Sequence, residues 1–520
     1  MRSKIFQVLS LALFCAPNAL GALIQKQGLV LPSSAAGHRE VVKSIFNDSY
    51  EAYRKFAFGH DDLSPLSQSF SDGRNGWGAS IVDAMSTMNF FDEALNFSQN
   101  INFTQSQTPD TVSIFESTIR YVGGLLSAYE LSGKKHAILV EKAKELADRL
   151  SLGWSQGNVV PFGYVDFSAN SPTIATSNIA EAGSLTLEWS RLSIYTGNDT
   201  YRKLTEDSVR LMASNPAPLP SLPAQGIDPS SGDPVGGYVT WGGGSDSYFE
   251  YLIKYARLTN TNDNTFTNTW LTAVDSSIKT LLKASDFDDN RQIRFVGSHL
   301  ACFYAGNWLM GGKLTNNATI VNIALTLNDA CWNTYAGDAT GIGPEGFAFI
   351  SSEGNFTGGS APTADDLAFY AKHGYYITSS DYILRPEVLE SNFYAWRATG
   401  NTEYLDRAAS AVSSFQRFLQ TPTGYAGIND VNNVNTTKID DIESFWFAEV
   451  LKYLYLTFDD PNHISLDGFV FNTEAHPFIA PPAKSSYGTG IITTSSLQPF
   501  VVQSGALPAV SPDSHLSKLL

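Results

Sequence analysis

Five side chains able to move protons or hold a sugar hydroxyl recur at one station of a repeating pattern: Glu116, Glu181, Asp246, His299 and Glu387. Each lies about 13 to 17 residues ahead of a segment that should end a helix. Those segments are Ser132-Gly133, Thr196-Gly197-Asn198, Thr259-Asn260, Thr399-Gly400-Asn401 and, more weakly, Gly311-Gly312. At about 1.5 Å of rise per residue the separation is one helix length, so each polar group belongs at the far end of its helix. Helices packed in a ring would bring all five to one mouth. Acids gathered in a cleft are costly unless they transfer protons or bind a polyol or a cation.

The local contexts sharpen this reading. Glu116 and Arg120 are four residues apart and share a helix face; at a surface that spacing is an ordinary ion pair. The apolar run after them, ending Tyr121-Val122-Gly123-Gly124, favours a buried acid held by a guanidinium. Pro386 suits a first helical turn, and Glu387 follows where the helix dipole keeps a carboxylate ionised, as a general base requires. Asp246, after Gly243-Gly244-Ser245, would by itself read as an N-cap. Glu443 and Glu449 could be solvated helix residues, but Phe445, Trp446 and Phe447 stand between them. Aromatic rings among acids suit a sugar, whose apolar face stacks while its hydroxyls bond carboxylates.

The elements that must position these groups follow from spacing. The turn marks at Gly133, Gly197 and Asn260 are about 64 and 63 residues apart, which fits two helices with connections and about seven hairpins in the chain. Ile138, Leu139, Ala143, Leu146, Ala147 and Leu150 recur at three and four, as on one helix face. Long Gly-, Pro- and Ser-rich loops, 155–178, 216–245 and 351–380, precede several of the polar stations. Such loops at one rim of a rigid scaffold are where ligands are met. The stretches 236–241 and 469–472 are candidate strands or hairpins in that rim. An open α-solenoid is the alternative, but acids at equivalent helix starts favour a closed all-α toroid.

Composition limits the partners. A net charge of −17 argues against nucleic acid and anionic lipid. Arg2 and Lys4 ahead of the apolar run 5–15, with Ala19-Leu20-Gly21 as a cleavage site, read as a signal peptide over residues 1–21, too short to span a bilayer. Residues 22–480 then form one domain, and the Pro/Ser-rich residues 481–520 a mobile extension. The mature chain keeps two cysteines, Cys302 and Cys331, which in an oxidising compartment form one disulfide or else remain two buried thiols. Sequons at Asn47, Asn96, Asn102, Asn198, Asn317, Asn355 and Asn435 suit a secreted or luminal glycoprotein of the Golgi or vacuole. A monomer is the default.

At this point the motifs resemble glycoside hydrolase family 47, the class I α-1,2-mannosidases that trim N-glycans. They run in order from His60-Asp61-Asp62-Leu63 and Arg74-Asn75-Gly76-Trp77-Gly78 through Asn178-Ile179-Ala180-Glu181 and His299-Leu300-Ala301-Cys302. Gly341-Ile342-Gly343-Pro344-Glu345, Arg385-Pro386-Glu387 and Asn472-Thr473-Glu474-Ala475-His476-Pro477 complete the series. The resemblance implies an (αα)7 barrel, an inverting exo-acting mechanism on high-mannose oligosaccharides, and a Ca2+ ion at the base of the pocket. It implies Glu116 as general acid acting through a water, Glu387 as general base, and Asp246 as a further essential acid. Thr473 would hold the metal. Glu181, Glu390, Glu449 and Glu474 would order water and substrate, Arg120 and Arg385 would orient acids and substrate, Phe445 would underlie the sugar, and His299 would support the pocket. The resemblance also pairs Cys302 with Cys331.

One departure bears on specificity. Family members that remove a single mannose in the endoplasmic reticulum carry an arginine two residues before the matching aspartate, where this chain has Gly244. Loss of five donors and a large side chain implies broad trimming of α-1,2-linked mannose. A mannose-binding, lectin-like relative with little activity is the alternative; intact Glu116, Asp246, Glu387 and Thr473 favour the enzyme.

Overall fold

The computed structural model describes residues 21–87, 91–285, 293–294, 297–354, 357, 360–490 and 500. Among these, fourteen helical stretches alternate between an outer and an inner ring. The outer helices are Ala35–Phe56, Phe91–Ser98, Ala137–Leu150, Thr200–Ser214, Thr265–Thr280, Ala318–Gly337 and Glu403–Phe418. The inner ring runs through Ala79–Ala84, 114–131, 179–196, Asp246–Thr259, Phe303–Leu314, Glu387–Thr399 and 446–458. Each inner helix packs on the next, and 446–458 packs on Ala35–Phe56 and on Ala79–Ala84, which closes an (αα)7 barrel.

The burial pattern separates the rings. In the outer helix Ala137–Leu150 the expected stripe is the buried face: Leu139, Ala143, Leu146, Ala147 and Leu150 are buried, and Ile138 packs at its edge. Inner helices have no free face; every residue from Ser247 to Leu258 is buried, charged ones included. Buried charge in these helices therefore has to be paired across the ring.

Four of the five expected helix ends are left-handed turns: Gly133, Gly197, Asn260 and Gly400 have φ of 70°, 70°, 51° and 68°. Glycine and asparagine tolerate that region, so they end the helix there. Gly311-Gly312 is different. It lies inside Phe303–Leu314, and a Cβ on Gly311 would come within 2.2 Å of the Trp270 ring. Here glycine permits close approach of an inner and an outer helix rather than a turn.

The long loops collect at the end of the barrel where the inner helices begin, as short antiparallel sheets: 112–113 with 164–166 and 171–172, 177–178 with 226–227 and 234–235, and 297–298 with 346–348 and 376–379. Residues 236–241 are not a strand; the strand is Pro234–Val235. Gly236 has φ of 73°, which breaks the ladder there, and beyond it the Gln225 N–H reaches across, to the Tyr238 carbonyl at 2.9 Å. Phe469–Phe471 is a strand, paired with Pro477–Ile479, and this hairpin packs on the inner helices with residues 472–476 as its tip.

Two buried arginines fasten the opposite end. Arg397 donates to the carbonyls of Pro461 (2.7 Å) and Leu456 (2.8 Å) and to Gln25 Oε1 (2.9 Å). Arg257 donates to the carbonyls of Asp467 (2.6 Å) and Pro481 (2.8 Å). The packed chain also passes the Pro481 boundary. Asn260 donates to the Pro482 carbonyl, Lys484 Nζ to the Thr261 carbonyl, and Tyr487 is buried with its N–H on the Leu314 carbonyl. Residues 481–490 are therefore bound to the barrel by exposed helix ends, not a mobile extension. Residues 1–20, and with them the signal reading, lie outside the described residues, as do 491–499 and 501–520.

Cys302 and Cys331 form a disulfide between the start of an inner helix and its outer partner, with 29 residues of separation. Closing a loop of that length constrains the unfolded chain by about 3 to 4 kcal/mol. The Cys302→Ala/Cys331→Ala variant should therefore melt several degrees lower by circular dichroism while keeping its helical signal at 25 °C.

Candidate active site

The mouth of the inner ring opens into a pocket of about 420 Å³. It draws Glu116, Glu181, Asp246, Glu387, Glu390 and Glu449 from five inner helices to one space, together with Arg120, Arg385, Phe445, Thr473 and Glu474. His299 stands behind the wall, and the disulfide lies outside the pocket.

On one wall Glu387 is the first residue of its helix, after Pro386. His299 Nδ1 lies 2.9 Å from Glu387 Oε2, and His299 Nε2 lies 2.9 Å from the Tyr335 hydroxyl. With its proton on Nδ1, the buried imidazole donates to the carboxylate and accepts from the tyrosine, which fixes both rotamers. Arg385 Nη1 is 3.7 Å from Glu387 Oε1 and is itself ion-paired with Glu345.

Across the ring, Glu116 follows its cap Ser113, whose hydroxyl accepts the Glu116 N–H at 3.2 Å. Glu116 Oε2 accepts from Arg120 Nε at 2.8 Å and is 3.5 Å from Arg74 Nε. Between Glu116 and Arg120 the helix passes into a π-turn, Ser117–Val122. Arg120 Nη1 reaches Glu474 (2.9 Å), Ser444 (3.1 Å) and Asp83 (3.4 Å), and its guanidinium lies 5.8 Å from the Phe445 ring centre. Burial opposes the charge on Arg120, but Glu474, Glu116 and Asp83 outweigh it and hold the guanidinium protonated. Asp83 also bonds His476 Nε2 at 2.9 Å, and burial drives that imidazole down to about 4, so it is neutral.

Asp246 opens its helix and accepts the Ser247 N–H at 2.8 Å. Burial, opposed by that bond and reinforced by Glu250 and Glu387, raises its carboxyl to about 7. Glu390 is raised to about 8 by burial, against the pull of Lys254. Lys254 and Glu250 form a fully buried ion pair below these acids. Gly244, at the rim, has φ of 82°, a conformation that disfavours any larger residue.

The floor of the pocket is the hairpin tip. Thr473 faces the cavity, and Asn472 fixes the turn by accepting the N–H groups of Glu474 (3.0 Å) and His476 (2.8 Å) on Oδ1. Glu449, beside it, makes no hydrogen bond among the described residues; burial and the nearby Glu474, Glu387 and Glu390 hold its carboxyl well above the usual range. A hard divalent cation fits such a floor, since threonine oxygens can ligate it while the surplus carboxylates lose their mutual repulsion. Among the described residues no cluster of three His, Cys, Asp or Glu has the geometry of a direct ligand set. Thr473 oxygens and water would be the ligands, with the carboxylates outside them.

Sequence reasoning missed Asp83, Glu250, Lys254 and Tyr335 and took Arg74, Glu345 and His476 only as landmarks. The spacing of Glu250 and Lys254 is that of a common surface pair, and only the all-buried helix reveals them as internal.

A ring of helix starts around a blind, acid-lined pocket defines a class of sugar-processing toroids. The chain belongs to one family of that class: the model of glycosyl hydrolase family 47 matches residues 45–480. It is 37% identical over 510 residues to a probable mannosyl-oligosaccharide α-1,2-mannosidase 1B of Aspergillus clavatus, covering 90% of this chain and 98% of that one. A mannosyl-oligosaccharide α-1,2-mannosidase 1B of Aspergillus phoenicis is 36% identical over 474 residues, covering 84% and 90%. The solved α-1,2-mannosidase from Trichoderma reesei superposes with a TM-score of 0.82 at 35% identity, covering 87% of this chain and 100% of its own.

Proposed function

We propose that this chain is an inverting, exo-acting α-1,2-mannosidase that removes terminal α-1,2-linked mannose from high-mannose oligosaccharides. The observation that carries the reading is Glu116 and Glu387 on the second and sixth helices of a ring of seven, facing each other across one blind pocket. A blind pocket admits a chain end, and two carboxyls on opposing walls suit direct displacement by water, which needs about 6.5–9.5 Å between them. Glu387, oriented by His299, takes the proton of the attacking water. Glu116, held by Arg120 and Arg74, delivers a proton to the leaving oxygen through a bridging water. Asp246 holds a further proton near the same sugar, and Phe445 supplies an apolar face. Thr473 would hold Ca2+, which when bound orients sugar hydroxyls at the floor.

Gly244 leaves the rim without a side chain, so several branches should be trimmed. The sequons and the disulfide support a secreted or luminal glycoprotein, with a monomer as the default, and no helix among the described residues is long and apolar enough to cross a membrane. Digestion of a high-mannose oligosaccharide, followed by mass spectrometry, tests the function. Trimming should continue until no α-1,2 linkage remains. One product with other α-1,2 linkages intact contradicts the breadth, and binding without release favours a lectin.

The titration of Asp246 gives a pH signature. Its carboxyl is protonated below about 7 and ionised above, so a step that needs this proton fails as pH rises through that value. The profile of kcat/KM should show an alkaline limb near 7 that disappears in Asp246→Asn, leaving a low rate without that limb.

A further inference from the structure

We propose that Asn102 carries an N-linked oligosaccharide whose inner sugars lie in a cleft beside it, on the same end of the barrel as the catalytic pocket. The cleft, of about 650 Å³, lies between Phe58, helix Phe91–Ser98 and the loop that follows. It is close to the catalytic rim in the chain: Gly76 of its wall is two residues from Arg74, and the loop continues into the cap of Glu116.

Its chemistry is that of a carbohydrate seat. Phe58 is 42% exposed and stands edge-on to Phe97 at 5.6 Å, leaving apolar ring surface open to water. Around the rings are the amides of Asn96, Asn102, Gln105 and Gln107. The side-chain amides of Gln105 and Gln107 make no hydrogen bond among the described residues, although the Gln105 carbonyl and the Gln107 N–H fasten the loop to Trp77 and Asn75. Rings flanked by amides, with the Arg54-paired carboxylate of Glu93 on the same wall, suit the apolar face and the hydroxyl rim of a sugar.

Two wall residues are themselves acceptor asparagines, which decides the occupant: a glycan attached at the wall fills the cleft before any free saccharide does. Asn102 is the better acceptor of the two. It is exposed outside any helix, and its Oδ1 accepts both the N–H (3.0 Å) and the hydroxyl (2.6 Å) of Thr104, which leaves Nδ2 unbonded. Asn96 lies within a helix, and its partner Ser98 is wholly buried against Met85. Asn47 is likewise helical, with Ser49 buried under Trp446.

Attachment joins Asn102 Nδ2 to the anomeric carbon of a lipid-diphosphate-linked oligosaccharide. The bond from that carbon to the diphosphate oxygen breaks, the lipid diphosphate leaves, and the amide gives up one proton. The inference rests on entry into the secretory lumen.

The test uses the full chain secreted from a eukaryotic host, digested in its native fold with peptide-N-glycosidase, with release at each sequon followed by mass spectrometry. Asn198, exposed at a helix end and outside the wall of this cleft, is the internal control. Asn102 should be occupied and released more slowly than Asn198, and Phe58→Ser, which replaces an exposed side chain, should speed its release roughly fivefold or more. Asn102 bare while Asn198 is modified, or both released at one rate, overturns the proposal and leaves the secretory reading standing. Every sequon bare overturns both. If Asn102→Gln is fully active and Phe58→Ser then raises KM for a branched oligosaccharide but not for α-1,2-mannobiose, the cleft serves substrate instead, and the glycan seat is refuted.

Discussion

Glu387→Gln should lower kcat on α-1,2-mannobiose by about a thousandfold or more, with little change in KM or in melting temperature. The amide keeps the shape of the side chain but loses its charge and with it the ability to take a proton from water. The neighbouring contacts make the expectation specific. His299 Nδ1 at 2.9 Å donates to Glu387 and can donate equally to an amide oxygen, so the fold should not register the change. His299→Ala leaves the base in place but releases its rotamer, and a misplacement of this kind costs about a hundredfold. The two variants should therefore fall in that order, both on kcat. Equal activity of Glu387→Gln and the parent would remove Glu387 from the mechanism.

The second large effect concerns stability. Asp61 is wholly buried and accepts four backbone N–H groups, from Arg74 (2.7 Å), Gly76 (2.8 Å), Gly78 (3.0 Å) and Ala79 (3.0 Å). One carboxylate thus organises the whole Arg74–Ala79 turn, which in turn aims Arg74 at Glu116 and Glu443. Asp61→Ala strands four buried donors, and the expected loss is about 4 kcal/mol or more. Thermal unfolding should show it as a fall in midpoint at least as large as that of the disulfide variant. Any folded fraction should also have weakened activity through Arg74. An unchanged midpoint would mean that water or another group satisfies those N–H donors.

The barrel was legible because its period is long and its helix ends are chemically marked. Gly133, Gly197, Asn260 and Gly400 are left-handed turns, and counting back from them locates the catalytic end of each helix. The same rule misread Gly311-Gly312, since a glycine required by a tryptophan against it looks in sequence like a glycine required by φ. Single stations were also legible: Glu116 pairs with Arg120, and Glu387 starts its helix after a proline. What stayed hidden was long-range. Asp83 meets Arg120 from 37 residues away and Ser444 and His476 from 361 and 393 residues away, and no local pattern encodes those pairings. Pro481-Pro482 reads as a boundary because prolines cannot donate, yet their carbonyls accept from Arg257 and Asn260 and tie the segment down.

Hydrolysis with inversion in a calcium-dependent pocket leaves a signature in the anomer first released. Proton NMR of α-1,2-mannobiose during hydrolysis identifies the anomer formed first, with calcium present, after chelation, and after calcium is restored. β-Mannose should appear first, with no reaction in the chelated sample and recovery on adding calcium back. α-Mannose as the first product, or an undiminished rate after chelation, would contradict the proposed function.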